Sequence, residues 1–311
     1  MVAAPQIPGS RLKLGLALFA LYVVWGSTYL AMRVAMLGFP AFRMASYRFL
    51  VAGAALMLFA RLRGTPFPTL RQWRNAALVG TLLLACGNGG VAYAEQTVSS
   101  GLAALMVSAV PLWVALFGGL WGKWPAPKDW VGLALGTTGI VVLNLGSELR
   151  GSPAGAGALV FATAAWAFGS MWSRRADLPK GSMAAAAEML AGGVVLLGMS
   201  MLRGEQMPAT VPPLAIAALA YLVVFGSLVA YSAYLYLLAR ATPAVATSYA
   251  YVNPVVALLL GAMLLDEHLP TALLLALPLI VGAVALVLRT PGAVRRPLPH
   301  LSDVGGEARA P

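Results

Sequence analysis

Acidic residues, cysteine and histidine are all scarce in this chain. Its 311 residues include ten Asp and Glu, one Cys and two His. The single cysteine, Cys86, lies in a hydrophobic run, so no intrachain disulfide can form, and the spacing of a zinc site is absent. His268 and His300 fall near segment ends, too far apart in sequence to suggest a metal, and both are expected in an exposed loop or tail. No Gly-x-x-x-x-Gly-Lys-Ser/Thr loop occurs and no stretch remains for a soluble nucleotide domain, which excludes ATP-driven transport by this chain alone. A membrane-embedded enzyme would need a Ser/His or His/Glu set at depth, and neither histidine is placed to form one. No catalytic residue, cofactor or metal is therefore expected.

Apolar side chains are abundant. With 60% hydrophobic and 10% charged residues and a mean hydropathy of +0.83, the chain cannot hide its apolar surface in a water-soluble domain, and it reads as an integral membrane protein. About ten runs of roughly 20 apolar residues are each long enough to cross a core about 30 Å thick. They cover 13–35, 41–62, 72–94, 99–121, 127–146, 155–175, 182–202, 213–239, 243–265 and 270–289. The expected fold is an all-α membrane protein of ten transmembrane helices, preceded by a short segment, 1–12. The first run is too long for a signal-peptide core and reads as an uncleaved span. The tail 290–311 is rich in Pro, Gly and Arg, lacks periodicity, and is expected to be disordered.

The net charge of +11 raises nucleic acid as a partner, and the topology removes it. Sixteen of the 21 Lys and Arg residues fall on one side of the ten-span layout, Arg150 and Arg203 fall on the other, and Arg33, Arg43 and Arg48 lie in or beside the first two spans. By the positive-inside rule both termini are cytoplasmic, in what reads as an inner membrane.

Within the ninth run, Asn253-Pro254 interrupts an apolar segment. Proline lacks an N–H and clashes with the carbonyl four residues back, so a break with unpaired carbonyls is expected there. Pro111, 143 residues earlier, repeats the pattern. The same shift places Tyr93 on Tyr236, Gly118 on Gly261, Pro127 on Pro270 and Gly139 on Gly282, while a shift of 141 places Trp25 on Trp166. This reads as a duplication of five spans, 13–146 and 155–289, around a central cavity. An odd number of spans per half makes the repeat inverted, and binding is then expected near the midplane.

Several stretches resemble a known family. Tyr22-Val23-Val24-Trp25-Gly26-Ser27-Thr28-Tyr29 and Ala246-Thr247-Ser248-Tyr249-Ala250-Tyr251-Val252-Asn253-Pro254 are the most specific. Tyr47-Arg48-Phe49-Leu50, Gly87-Asn88-Gly89-Gly90 and Trp166-Ala167-Phe168-Gly169-Ser170 are moderate. The chain resembles EamA-type members of the drug/metabolite transporter superfamily, most closely the YedA-type inner-membrane exporters, over nearly all of 13–289. The resemblance implies export of small metabolites or amphipathic compounds, amino acids being common cargo, with a lipid-linked-sugar flippase as the alternative. Exchange for protons and facilitated diffusion both remain open. Family members often carry Gly-Glu after the fourth and ninth spans; here Gly122-Lys123 and Asp266-Glu267 stand there, so a symmetric acidic pair is absent.

The sharpest individual residues are Arg48 and Glu188, since a charge inside a span costs about 2.5–3.5 kcal/mol on insertion scales. They are repeat mates at a shift of 140, and their depths place them on opposite sides of the midplane, which argues against a direct ion pair. Arg48 is expected either to attract a substrate carboxylate or hold the outer gate, or to donate to freed carbonyls. Glu188 is expected either to take up a proton or substrate ammonium, or to sit as a neutral, hydrogen-bonded acid. Asn88, in a glycine-weakened stretch, is a buried amide needing partners. Trp25 and Trp166 suit planar or cationic cargo, or core packing. Tyr231 and Tyr234 share one helix face, and Ser232 and Tyr236 another. Ser27, Tyr93, Ser108, Tyr249 and Asn253 complete the candidate substrate-binding set, with Pro111 and Pro254 as helix breaks. Glu95 is expected as a solvated carboxylate at the outer end of the third span.

Overall fold

In hydrocarbon a spanning segment must satisfy its own backbone, and the apolar runs do so as helices. The computed structural model describes residues 8–98, 103, 106–122, 124–143, 152–265 and 271–289. Every regular element among them is helical: α1 (Leu12–Ala35), α2 (Ala41–Leu62), α3 (Leu70–Ala94), α4 (Val110–Leu120), α5 (Pro127–Leu143), α6 (Pro153–Ser173), α7 (Ser182–Leu202), α8 (Pro213–Arg240), α9 (Pro243–Thr247 and Tyr249–Leu265) and α10 (Ala272–Arg289). Six of these, α1 to α3 and α6 to α8, are long and apolar enough to cross a membrane. The other four fall on the remaining expected runs and are shorter or, in α9, interrupted. Asp266-Glu267, His268, His300, Lys123 and the tail 290–311 lie outside the described residues.

Local chemistry sets several helix ends. Thr69 and Gln72 form a reciprocal capping box at α3; Ser152 and Thr242 cap α6 and α9, each followed by proline at the first helical position. Large apolar side chains such as Leu58, Phe161, Val194 and Leu274 point outward and are exposed, as lipid-facing residues are. At the end bearing Asp177, that residue pairs with Arg71 at 3.6 Å and its carbonyl accepts from Asn75.

The most intimate packing joins α2 and α7. A Cβ on Gly53 would meet Leu190, and a Cβ on Gly193 would meet Leu50, while Arg43 Nε donates to Ser200 Oγ at 2.7 Å. The paired numbers share one sum, so the two helices run antiparallel. Position 50 stands to 193 as 53 stands to 190, the reciprocity that a two-fold axis between repeat mates produces. The Glu205 carboxylate accepts from the backbone N–H groups of Phe42 (3.1 Å) and Arg43 (2.9 Å), fastening the start of α2 beyond the end of α7. On the other face α7 presses against α3 so closely that a Cβ on Gly80 would overlap the Glu188 carbonyl.

Three helices carry a turn of π-helix: α1 at Ala20–Trp25, α3 at Thr81–Asn88 and α8 at Leu222–Val229. The second and third are 141 residues apart, the shift that also relates Trp25 to Trp166. A π-turn widens the helix and releases carbonyls from their i→i−4 partners. The expected break in α9 falls at Ser248 rather than at Pro254, which lies inside Tyr249–Leu265. Pro111 lies in the first turn of α4, where its missing N–H costs nothing, after a turn at Ser108-Ala109.

The α3–α7 contact yields a stability test. Gly80→Ala is expected to destabilise the protein by about 1–3 kcal/mol, as overpacking does. Gly198→Ala on α7, where no atom lies within 4 Å of the added Cβ, is expected to be neutral or slightly stabilising; thermal unfolding of the two purified variants checks both.

Candidate functional site

The π-turn of α1 ends at Trp25, and residues 28, 29 and 32 continue the same helical face. That face, with Arg48 from α2, Gly87, Asn88 and Val91 from α3, Val107 and Val110 around the start of α4, Ala162, Thr163 and Trp166 from α6, and Tyr249 and Asn253 from α9, lines a central cavity of about 70 Å³. Six of the candidate residues thus meet at one cavity: Trp25, Arg48, Asn88, Trp166, Tyr249 and Asn253.

Aromatic rings form one wall. Trp25 lies edge-on to Trp166 (5.6 Å, 74°) and to Tyr249 (4.9 Å, 77°), and Tyr234 lies within 5.2 Å of Trp25 and 5.3 Å of Trp166. Both indole N–H groups are spent on the protein. Trp25 Nε1 donates to the carbonyl of Gly226 in the α8 π-turn at 3.0 Å, and Trp166 Nε1 donates to Tyr234 Oη at 3.0 Å. The apolar ring surfaces are what remains for the cavity.

Asn253 has a different task from the one its polarity suggests. With its amide nitrogen turned to the surrounding acceptors, it reaches Leu21 O (3.1 Å), Tyr22 O (3.3 Å) and Tyr249 O (3.1 Å). The first two carbonyls belong to the α1 π-turn. Asn88 contrasts with it: Oδ1 is buried at the cavity with no partner among the described residues.

Arg48 is buried at 2% exposure. Its Nε donates to Ser227 Oγ at 2.8 Å, its guanidinium stands 4.9 Å from the Phe49 ring centre, and Nη2 occupies the space where a side chain at Gly226 would lie. Among the described residues no carboxylate pairs with it, and its terminal nitrogens make no hydrogen bond. A guanidinium carries five N–H donors, so most of its capacity is unspent at the cavity wall.

The remaining candidates lie elsewhere. Glu188 and Tyr231 are fully buried away from the cavity and joined by a bond from Tyr231 Oη to Glu188 Oε2 at 2.7 Å. Ser27 bonds Tyr221 Oη at 2.7 Å; Tyr93 stacks on Phe42 at 5.8 Å beneath Arg203; Ser108 is buried before α4. Arg48 and Glu188 make no ion pair. In the α2–α7 register they stand about seven residues, or ~10 Å, apart along the helix pair. Glu95 departs from the expected solvated carboxylate: Oε2 is buried without a partner among the described residues, and burial pushes the carboxyl up to about 8 against the pull of Arg33. Thr28, Tyr29, Met32 and Thr163 line the cavity without having been singled out, although each lies three, four or seven residues from a tryptophan that was.

Comparison with known proteins gives a consistent picture. A model of the EamA-like transporter family matches residues 13–145 and again 153–289. The chain is 50% identical over 272 residues to the inner membrane transporter YedA of Escherichia coli (strain K12), covering 87% of this chain and 89% of that one. It is 30% identical to Protein PecM of Dickeya dadantii (strain 3937), covering 86% and 91%. A solved crystal structure superposes with a TM-score of 0.72 at 22% identity, covering 88% of this chain and 96% of that chain, which extends the likeness to the fold.

The two asparagines are expected to behave oppositely on truncation. Asn253→Ala strands two buried carbonyls of α1 and is expected to cost about 1–3 kcal/mol, whereas Asn88→Ala removes a group with no protein partner at its oxygen and is expected to leave the melting temperature nearly unchanged. Thermal unfolding in detergent separates the two.

Proposed function

Because the chain belongs to the EamA-like transporter family, a membrane transporter family with a two-repeat fold, we propose that it exports small metabolites bearing a carboxylate, amino acids or related amphipathic compounds, across the inner membrane by alternating access. The observation that carries this reading is the unpaired Arg48 guanidinium at the aromatic-walled central cavity. A buried cation without a counter-ion is costly, and a bound carboxylate supplies what is missing, with a bidentate geometry suited to guanidinium. The Asn88 oxygen on α3 is an acceptor for an ammonium or amide N–H of the same ligand, and the rings of Trp25 and Trp166 take its apolar part.

Ten spans in two inverted halves, 13–146 and 155–289, give this site its mechanism. The reciprocal α2–α7 contacts and the π-turns 141 residues apart support such a symmetry. Two related halves that exchange conformations open the cavity alternately to either side. The distribution of Lys and Arg supports cytoplasmic termini, which puts the Arg174 and Arg240 end of the bundle in the cytoplasm.

Ligand-induced thermal stabilisation of the purified protein tests the reading, across amino acids, their derivatives and cationic dyes. A carboxylate-bearing ligand at 100 times its Kd is expected to add about 2.7 kcal/mol of stability, and Arg48→Met is expected to abolish the shift. Stabilisation by cationic dyes that persists in Arg48→Met, or no soluble ligand but tightly held lipid, would sink it.

A further inference from the structure

A second cavity, of about 630 Å³, lies where the 174–182 connection meets α7 and α8, and it shares no lining residue with the central one. Glu188 is the one acidic residue on its wall. The carboxyl is fully buried at 0% exposure; Tyr231 donates to Oε2, and Oε1 has no partner among the described residues. Ser232, adjacent to Tyr231 in sequence, borders the same cavity with its Oγ also buried and unpartnered. Two unpartnered oxygens at one cavity, one of them a carboxyl oxygen, have the pattern a proton completes. An O–H on Oε1 is a donor, and water in the cavity is an acceptor for it.

The surroundings leave Glu188 without a bound cation. From α8 come Tyr231, Tyr234 and, farther along the cavity, Tyr236 and Arg240, the last lying 5.1 Å from the Tyr236 ring centre. From the end of α6 comes Arg174, which donates to the Ala241 carbonyl. Helix α3 faces Glu188 with backbone at Gly80, and the α2 cation, Arg48, is turned to Ser227.

Tyr231 connects this carboxyl to the central cavity. Its ring lies edge-on to Trp166 at 6.5 Å, and Trp166 forms the cavity wall. We propose that Glu188 is a proton site reached from the second cavity, separate from the substrate cavity, and that Tyr231 transmits its protonation to the wall at Trp166. The use of such a site in transport rests on the reading of the central cavity given above; its existence does not. The step is balanced: one proton passes from cavity water to Oε1, the carboxylate loses its charge, and no covalent bond in the protein is broken. The Tyr231 hydrogen bond, strong to a carboxylate, weakens on neutralisation and frees the ring beside Trp166.

Infrared difference spectra of the protein in lipid nanodiscs, recorded as pH is stepped with the proton as the only ligand, test the site. Glu95 is itself a buried carboxyl pushed up to about 8, so every variant is made in the Glu95→Gln background. There a reversible carboxylic-acid band is expected, and it is expected to vanish when Glu188→Gln is added. Its midpoint is expected to move in Tyr231→Phe and to stay in Tyr236→Phe. A titrating band that survives Glu188→Gln, a midpoint indifferent to Tyr231→Phe, or a band removed by sodium at constant pH would overturn the proposal. Absence of substrate flux with the band intact would instead count against the transport reading alone.

Discussion

At membrane depth no water is available to a carbonyl that leaves the helical pattern, so each one released needs a donor within the protein. The central cavity is built around that requirement. Its frame includes three π-turns, and two of them are answered by side chains of the site itself: Asn253 for Leu21 and Tyr22, and Trp25 for Gly226. A residue such as Trp25 therefore belongs at once to the wall and to the scaffold. That double duty explains why packing and binding could not be separated for it by inspection of the sequence.

What the sequence did disclose follows from periodicity and scarcity. An arginine and a glutamate inside apolar runs stand out because charge there is expensive, and Trp25 and Trp166 stand out because indoles concentrate at interfaces instead. The π-turns were not legible, since nothing in Ala20–Trp25 or Leu222–Val229 departs from an ordinary apolar helix. Where a turn widens, residue faces rotate, and depth alone does not say which candidates converge. Ser27, two residues past Trp25, points some 200° around the helix from it, and Tyr93, five past Asn88, points about 140° away. Both lie outside the cavity for that reason. Pro254 misled in a smaller way: the helix breaks at Ser248, whose Oγ bonds the Val245 carbonyl and Tyr22 Oη, and the proline is carried inside the following helix.

The antiparallel pairing of α2 and α7 organises the two buried charges. Close approach at Gly53 and Gly193 fixes the register, which sets Arg48 and Glu188 on either side of the crossing rather than face to face. Helix α8 then addresses both from one face, through Ser227 to the arginine and, one turn on, through Tyr231 to the glutamate. Either bond alone would be ordinary; together they put a cation and an acid, too distant to neutralise each other, under the control of the same helix.

The Asn253 amide has a mechanical meaning as well. One planar group, with two N–H donors to share among two successive carbonyls of α1 and one of α9, ties the two helices together at this depth. The α1 end of this tie is the widened turn itself, and the Ser248 break lies little more than one turn before the α9 end. Trp25, at the end of the same turn, is thus joined to the ninth helix twice, through that amide and through its ring contact with Tyr249.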